Sequence, residues 1–544
     1  MGGAGPRRDQ GGPGGGGLPR AGRGVSAGRS AAGDRGAPSR EVLFLAGDGL
    51  VEARLPGPVR VVDPPPGPPP LADFALSVRR ALENPLGMPP LARLAGRGSR
   101  VVIAFDDPCL PLPTPLHDPR KVMMERVLEV LSQAGVRDSD IQLICANGLH
   151  RKWSRRELLP LVGRRTMWRH GGRLRCYDGE DAEANRKLGS TESGLVVEVD
   201  RAVAEADLVV YLAVPWTEMN GGHKSIACGL SSYASISQHH GPRVQAQSPL
   251  MHPERSEMHG QLREIGRLVG RHVPVFQVEA VLDRRLWTGP LRGFDLQRRR
   301  MPGYLRPAHS RLLPPAARST VARAFRGFYR PAAVWAGEVE AVHGRTLDFQ
   351  AAYRAGPEPQ ADILLLGVPD QSPYAAYSRT NPLLAANLGL GYMFQFARPV
   401  PLVRRGGRVI LVAPFRPGFH PRHHLAYQRF WDEVLPVTRD PSRMAAEFEP
   451  AFVADPDLRE AYRQRYAYHA AHPFFAYYWM ARALEHLSGV TVAGAVDAAV
   501  VERLGFGAAP TVEAALAEAR SELGADAEAV VQTVPPVFTV NVVV

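Results

Sequence analysis

Short apolar runs separated by polar turns predict buried strands in the first half of the chain. These runs cover residues 101–105, 141–146, 206–214 and 273–282. Residues 121–134 show the apolar spacing of a helix that stops at Gly135. Strands that alternate with helices predict a parallel sheet with helices on both faces.

Polar residues follow three of these predicted strands directly. Asp107 comes after the first, His150 after the second, and Lys224 after the third and a glycine-rich loop. Ligands of open α/β sheets gather at the carboxyl ends of the strands. We therefore expect these three side chains to converge on one site.

The second half repeats the α/β pattern. Residues 318–343 and 382–396 read as helices, and residues 363–368, 409–413, 490–493 and the last eight as strands. An Arg/Pro-rich stretch between the halves indicates a linker. We predict a disordered Gly/Arg-rich tail over 1–40, an α/β domain over 41–285, a linker over 286–315 and a second α/β domain over 316–544. The fold class is then two α/β domains with mostly parallel sheets.

The charge is concentrated in the tail. The chain of 544 residues carries a net charge of +12, and residues 1–40 hold seven Arg and two Asp. No aromatic-interleaved basic stripe follows, so we expect no nucleic-acid partner, although an RNA- or nucleotide-binding role for the tail stays open. The sequence contains no apolar run of membrane-spanning length and no apolar signal segment. A cytoplasmic protein without membrane contact is the prediction, and four scattered cysteines without CxxC spacing favour neither a zinc cluster nor a disulfide scaffold.

Lysine is rare in this chain, since four of the 66 basic residues are Lys. A lysine amine can lose its proton and act as a nucleophile, which an arginine cannot readily do. Lys224 stands in Gly221-Gly222-His223-Lys224, which is not a Walker A motif because His223 precedes the lysine. A phosphate-cradling loop and a catalytic lysine are both consistent with this pattern.

Several histidines are candidates for proton or metal chemistry. His150 ends a predicted strand and is a candidate general base. His239 and His240 follow Lys224 by fifteen and sixteen residues and are candidate metal ligands. His469 and His472 lie in an aromatic-rich block, which favours packing over catalysis.

These motifs together resemble one family. Asp107-Pro-x-x-Pro, Gly148-Leu149-His150-Arg151, Gly221-Gly222-x-Lys224 and His240 occur in the order and setting found in the nickel-dependent lactate racemase family, which includes other 2-hydroxyacid racemases and epimerases. The resemblance covers residues 95–285 and, more loosely, 360–415. It implies two α/β domains with the active site between them.

The resemblance also implies a cofactor and residue roles. The cofactor is a nickel pincer nucleotide, a pyridinium mononucleotide with two thio groups, attached covalently to Lys224. His240 would ligate nickel, for which soft sulfur and imidazole donors are suitable. Gly221, Gly222, Asp107 and Tyr374 would contact the cofactor. His150 would take the hydroxyl proton of the substrate while hydride passes to the cofactor.

The chain departs from the family on the substrate side. Leu110 stands where relatives have an arginine, and Pro215-Trp216-Thr217 stands where a second catalytic histidine is expected. Glu218 and His223 are candidates to replace that histidine. Arg151, Trp216 and Arg379 are candidate substrate contacts, and Arg379 would replace a missing lysine.

The sequence therefore predicts an isomerase, a lactate racemase-like racemase or epimerase of a small 2-hydroxy acid. Its expected partners are that substrate and the proteins that synthesise the cofactor. The alternative is a relative that binds the nickel nucleotide without racemase activity or that catalyses another hydride transfer.

Overall fold

A computed structural model of the chain describes residues 1–2, 39–47, 49–108, 115–288, 326–370 and 381–544. Its strands are β1 Arg40–Ala46, β2 Gly49–Leu55, β3 Val59–Val62, β4 Val101–Asp106, β5 Ile141–Ala146, β6 Leu174–Cys176, β7 Asn185–Ser190, β8 Val196–Asp200, β9 Leu208–Ala213, β10 Val275–Leu282, β11 Pro331–Gly337, β12 Ala355–Pro359, β13 Ala361–Gly367, β14 Ala397–Arg398, β15 Val403–Val412, β16 Gly489–Ala493, β17 Gly507–Ala509, β18 Ala529–Gln532 and β19 Val540–Val543.

The α-helices lie between these strands. They are Phe74–Glu83, Pro119–Gln133, Arg155–Val162, Arg164–His170, Arg201–Ala204, Lys224–Gly229, Tyr233–His240, Pro242–Ala246, Glu257–His272, Val339–Ala351, Pro382–Ala386, Leu425–Arg429, Pro441–Arg443, Glu449–Ala454, Pro456–Gln464, His472–Tyr478, Ala481–His486, Ala498–Arg503 and Val512–Leu523. Among the residues described, no helix has the length and apolar character needed to cross a bilayer.

Two six-stranded sheets organise the fold. The first has the order β11-β10-β9-β4-β5-β6, and the second has the order β17-β16-β15-β13-β18-β3. Every neighbouring pair in them is parallel except β10 and β11. The predicted α/β class with mostly parallel sheets is confirmed. All eight residues of β10 are buried, as expected for a strand that helices cover on both faces.

One predicted helix is wrong. Residues 331–337, inside the helix predicted over 318–343, form β11, and a helix begins only at Val339. Pro331 lacks the N–H that a helix interior needs, and β11 sits at the sheet edge where a proline is tolerated. The part of that prediction before residue 326 lies outside the described residues.

Strand pairing crosses the predicted domain boundaries. The residues of β3 were predicted to belong to the first domain, but β3 pairs with β18 in the second sheet. β11 joins the first sheet from beyond the predicted linker. Residues Pro38–Val544 cluster as one unit by their contacts, so the division at residues 41, 286 and 316 stays a prediction about folding units.

Candidate active site

A cavity of about 140 Å³ opens at the carboxyl ends of β4, β5 and β9. Asp107, His150 and Lys224 line it, as the three strand ends predicted. The second half of the chain closes this cavity with Tyr392 and with residues in and just after the His472–Tyr478 helix. The site therefore draws on both halves of the sequence.

Asp107 holds His150 in one orientation. The ring Nδ1 of His150 donates to Asp107 Oδ2 at 3.0 Å, and Trp153 Nε1 donates to the same oxygen at 3.1 Å. Asp107 is 4% exposed. Because the carboxylate only accepts, the proton of His150 sits on Nδ1, and Nε2 carries the lone pair that a general base needs.

A glycine brings the His150 loop against the Lys224–Gly229 helix. Gly148 has a φ of +50°, and a Cβ added there would lie 2.3 Å from the carbonyl oxygen of Cys228. Its N–H donates to the carbonyl of Gly229 at 2.9 Å. A side chain at position 148 would push apart the elements that carry His150 and Lys224.

The Gly221-Gly222 loop is built around a buried carboxylate. The N–H of Gly222 donates to Glu279 Oε1 at 2.7 Å, and His343 Nδ1 lies 3.2 Å from Glu279 Oε2. Glu279 is fully buried, which by itself raises its pKa. The charge and hydrogen bond of His343, together with hydrogen bonds from Thr346 and Gly222, outweigh burial and leave the pKa below its usual value. Both glycines have positive φ values, +94° and +58°. These glycines hold Lys224 at the cavity, and the N–H of Gly222 is bound to protein rather than turned to a phosphate.

Three potential metal donors cluster beside Lys224. Donor atoms of Cys228, His239 and His240 all lie within 4.8 Å of one another. The two histidines end the Tyr233–His240 helix, with their Nδ1 atoms 2.8 Å apart. Burial raises the pKa of Cys228 to about 11, against the opposing charge of Lys224, so its thiol stays protonated at neutral pH. Burial lowers the pKa of His240 well below its ordinary value, which keeps the imidazole neutral and able to ligate a metal.

An aromatic wall faces these donors. Lys224 Nζ lies 5.4 Å from the ring centroid of Trp479, and the His240 ring stacks on the same indole at 5.6 Å. Phe475 lies 5.2 Å from His240. A planar ring attached near Lys224 would meet flat apolar surfaces on this side.

This aromatic wall and the histidine within it, His472, were not predicted from the sequence. His472, Phe475, Ala476 and Trp479 all line the cavity. Their spacing of three, four and seven residues is that of one helix face, and this was the available signal. The packing interpretation fits His469 instead, since its Nε2 lies 2.5 Å from Glu180 Oε1 and its ring stacks on Tyr233.

Two predicted substrate contacts lie elsewhere. The guanidinium of Arg151 donates to Glu157 Oε1 at 2.6 Å and lies 3.7 Å from the ring centroid of Trp153. Trp216 packs edge-on against Tyr329 beside a different cavity. These positions give no support to a substrate role for either residue.

The candidates for the second base are also turned away from the cavity. Glu218 Oε1 accepts from Arg354 Nε at 2.7 Å and from the Thr539 hydroxyl at 2.9 Å. His223 Nε2 lies 3.0 Å from Glu340 Oε1. Leu110, Tyr374 and Arg379 lie outside the described residues, so their predicted roles stay predictions.

Part of this chain is similar in sequence to known proteins. Residues 47–250 match the family described as lactate racemase N-terminal domain. The lactate racemase of Lactiplantibacillus plantarum is 26% identical over 168 residues, which are 30% of this chain and 38% of that protein. The lactate racemase of Thermoanaerobacterium thermosaccharolyticum is 27% identical over 169 residues, 30% of this chain and 37% of that protein. These alignments thus span little more than a third of each curated relative.

The structural likeness extends further. The lactate racemase apoprotein from Thermoanaerobacterium thermosaccharolyticum superposes with a TM-score of 0.62 at 17% identity, over 93% of this chain and all of that one. At this identity the likeness shows a shared fold, and it includes the half of the chain that the sequence matches leave out.

Proposed function

We propose that this chain is a member of the lactate racemase family, and that it is a racemase or epimerase of a small 2-hydroxy acid that works with a nickel pincer nucleotide attached to Lys224. The sequence similarity to lactate racemases supports this proposal. One observation carries the proposal. A single cavity is lined by Lys224, by His240 and by the Asp107–His150 pair. It thus combines an amine for attachment, an imidazole for nickel and an oriented base.

The side chains around the cavity fit such a cofactor. Asn147 Oδ1 and Trp479 Nε1 are buried and have no hydrogen-bond partner among the described protein atoms. Both residues line the cavity, so a bound polar group could satisfy one acceptor and one donor there. His240 would hold nickel through Nε2, because its Nδ1 lies against His239. Metal-bound histidines usually have such a partner at the second ring nitrogen.

When bound, the nickel nucleotide supplies the acceptor for hydride. The protein's own part is to orient the substrate and to move the hydroxyl proton. His150 takes that proton on Nε2 while the C2 hydrogen leaves with its electron pair, so the 2-hydroxy acid becomes a 2-keto acid. Return of the proton to the carbonyl oxygen, and of the hydrogen with its electron pair to the other face of C2, completes the inversion. Asp107 stabilises the imidazolium that forms in between.

Intact-mass measurement tests the attachment. The chain is produced together with the cofactor-synthesis proteins, in wild-type form and as Lys224→Arg. We expect wild type to gain the mass of the nucleotide and the variant to keep its bare mass. Lys187→Arg is the matched control, since Lys187 lies on β7 outside the cavity. A wild type that stays at its bare mass would refute the covalent proposal.

Racemisation assays test the reaction. Nickel-loaded wild type is given each enantiomer of lactate, glycerate and 3-phenyllactate, and the product is resolved by chiral chromatography. Conversion of a probe in both directions supports the proposal. A protein that carries the cofactor mass but converts none of these probes would favour the alternative of a nucleotide-binding relative with other chemistry.

A further inference from the structure

His472 lies beside His150 in the cavity and is a second potential acid–base group there. It begins the His472–Tyr478 helix and lines the cavity together with His150. Their ring centroids are 5.2 Å apart at an interplanar angle of 72°. His472 is 6% exposed. Two imidazoles from opposite halves of the chain thus meet at one point of the cavity wall.

The ring of His472 is oriented by a buried phenol. Its Nδ1 lies 2.5 Å from the hydroxyl of Tyr427, which is itself fully buried. Proton exchange with a substrate would therefore use Nε2. The Tyr427 hydroxyl both donates and accepts, so it can support either tautomer of the ring.

We propose that His472 is the second catalytic base of the reaction, acting on the enantiomer whose hydroxyl group His150 does not serve. This assignment rests on the proposed function. It replaces Glu218 and His223, whose side chains bond to residues outside the cavity.

Stereochemistry explains why two adjacent bases are needed. Two enantiomers that direct their C2 hydrogen toward the same wall of the cavity place their hydroxyl groups at two different positions. One base can reach one of these positions. Reversal of configuration therefore calls for two proton acceptors side by side, which is the arrangement of His150 and His472.

The step at His472 mirrors the step at His150. The O–H bond of the substrate breaks and its proton passes to Nε2 of His472. The C2–H bond would break as a C=O bond forms, and the proposed cofactor, when bound, would supply the acceptor for the hydrogen and its electron pair. Burial and the nearby His150 lower the pKa of His472 well below its ordinary value, so the ring is neutral at pH 7, the form from which a base must start.

The test separates the two enantiomers in single turnovers. Cofactor-loaded wild type, His472→Asn and His150→Asn are each mixed with one enantiomer of a probe that wild type racemises. The 2-keto acid formed is trapped with phenylhydrazine after quenching. Intact mass confirms equal cofactor loading, and circular dichroism confirms equal folding. His469→Asn is the matched control, because it removes a buried histidine three residues away whose ring bonds to Glu180.

We expect His472→Asn to form keto acid from one enantiomer at nearly the wild-type rate and from the other at least about 100-fold more slowly, the usual contribution of a general base. His150→Asn should show the opposite preference, and His469→Asn should use both enantiomers. A His472→Asn variant that slows both enantiomers equally, or neither, would overturn the proposal.

A variant that fails to fold and an inactive wild type can each be distinguished from a failure of the proposal. If His472→Asn does not fold, Tyr427→Phe replaces it, since it leaves the imidazole and removes its partner. That variant should slow the same single enantiomer, and equal slowing of both would count against His472. A loaded wild type that forms keto acid from no probe would refute the proposed function, and this role of His472 with it.

Discussion

The shared oxygen of Asp107 allows a quantitative prediction about the orientation of His150. We consider Asp107→Asn, which keeps the shape of the side chain and removes its charge. Hydrogen bonds to charged groups contribute about 1.5–3 kcal/mol, and those between neutral groups about 0.5–1.5 kcal/mol. The bond from His150 therefore weakens by about 1–1.5 kcal/mol, which corresponds to a loss of roughly 5- to 15-fold in kcat/KM.

The loss stays this small only because Trp153 donates to the same oxygen. If the asparagine turned its NH₂ group toward these donors, the indole N–H would lose its acceptor, at a cost of about 1–3 kcal/mol. The amide oxygen should therefore stay in place, and His150 should keep its proton on Nδ1. Once Trp153 becomes Phe, the indole N–H no longer opposes the turn of the amide, and the turned amide would impose the opposite tautomer.

The assay is a double-mutant cycle. We expect Trp153→Phe alone to be close to wild type and Asp107→Asn to lose about tenfold, as calculated above. The double variant should lose about 10²–10⁴-fold, the contribution of a general base. Racemisation of the best probe gives kcat/KM, and urea denaturation shows whether folding has changed. Additive effects in the cycle, or a loss of about 10³-fold for Asp107→Asn alone, would refute this account of the tautomer.

Three further predictions concern the elements around the cavity. Gly148→Ala should lower the free energy of unfolding by about 2–4 kcal/mol in urea denaturation. The alanine would have to adopt a left-handed backbone conformation, and its Cβ would clash with the carbonyl oxygen of Cys228. Glu279→Gln should lower stability near pH 7 and loosen the loop at Gly222. Because folding lowers the pKa of Glu279, the advantage of wild type should be full above about pH 4.5 and fade as the pH falls through the lowered value, as urea denaturation at several pH values will show. Trp479→Phe keeps an aromatic face but removes a buried N–H, so less cofactor mass should be retained after dialysis, whereas an unchanged amount would contradict a polar contact at that atom.

Residues near strand ends were the part of the site that sequence could predict. Buried parallel strands are short apolar runs, and their carboxyl ends share one edge, so Asp107, His150 and Lys224 could be expected to meet. The strands that carry them were identified to within about two residues. These inferences use local patterns only, which is why they succeed.

Contacts between distant segments were the part that sequence could not predict. His472 and Trp479 reach the cavity from more than two hundred residues beyond Lys224. Their aromatic neighbours made packing the better interpretation, and only helical spacing distinguishes His472 from His469. The role of Glu279 was hidden for a similar reason, because a single carboxylate in an apolar strand gives no sign of the loop that it holds.

The charges around the cavity bear on how a substrate carboxylate would be bound. Among the described residues that line the cavity, Lys224 is the only lysine or arginine. Attachment of a cofactor to its amine would convert it to an uncharged amide-type group. A carboxylate brought into this cavity without a cation would then lose several kcal/mol of solvation. In the proposed function, a substrate carboxylate would therefore depend on the positive charge of the nickel nucleotide itself, or on a residue outside the described lining, such as the candidate substrate contact Arg379.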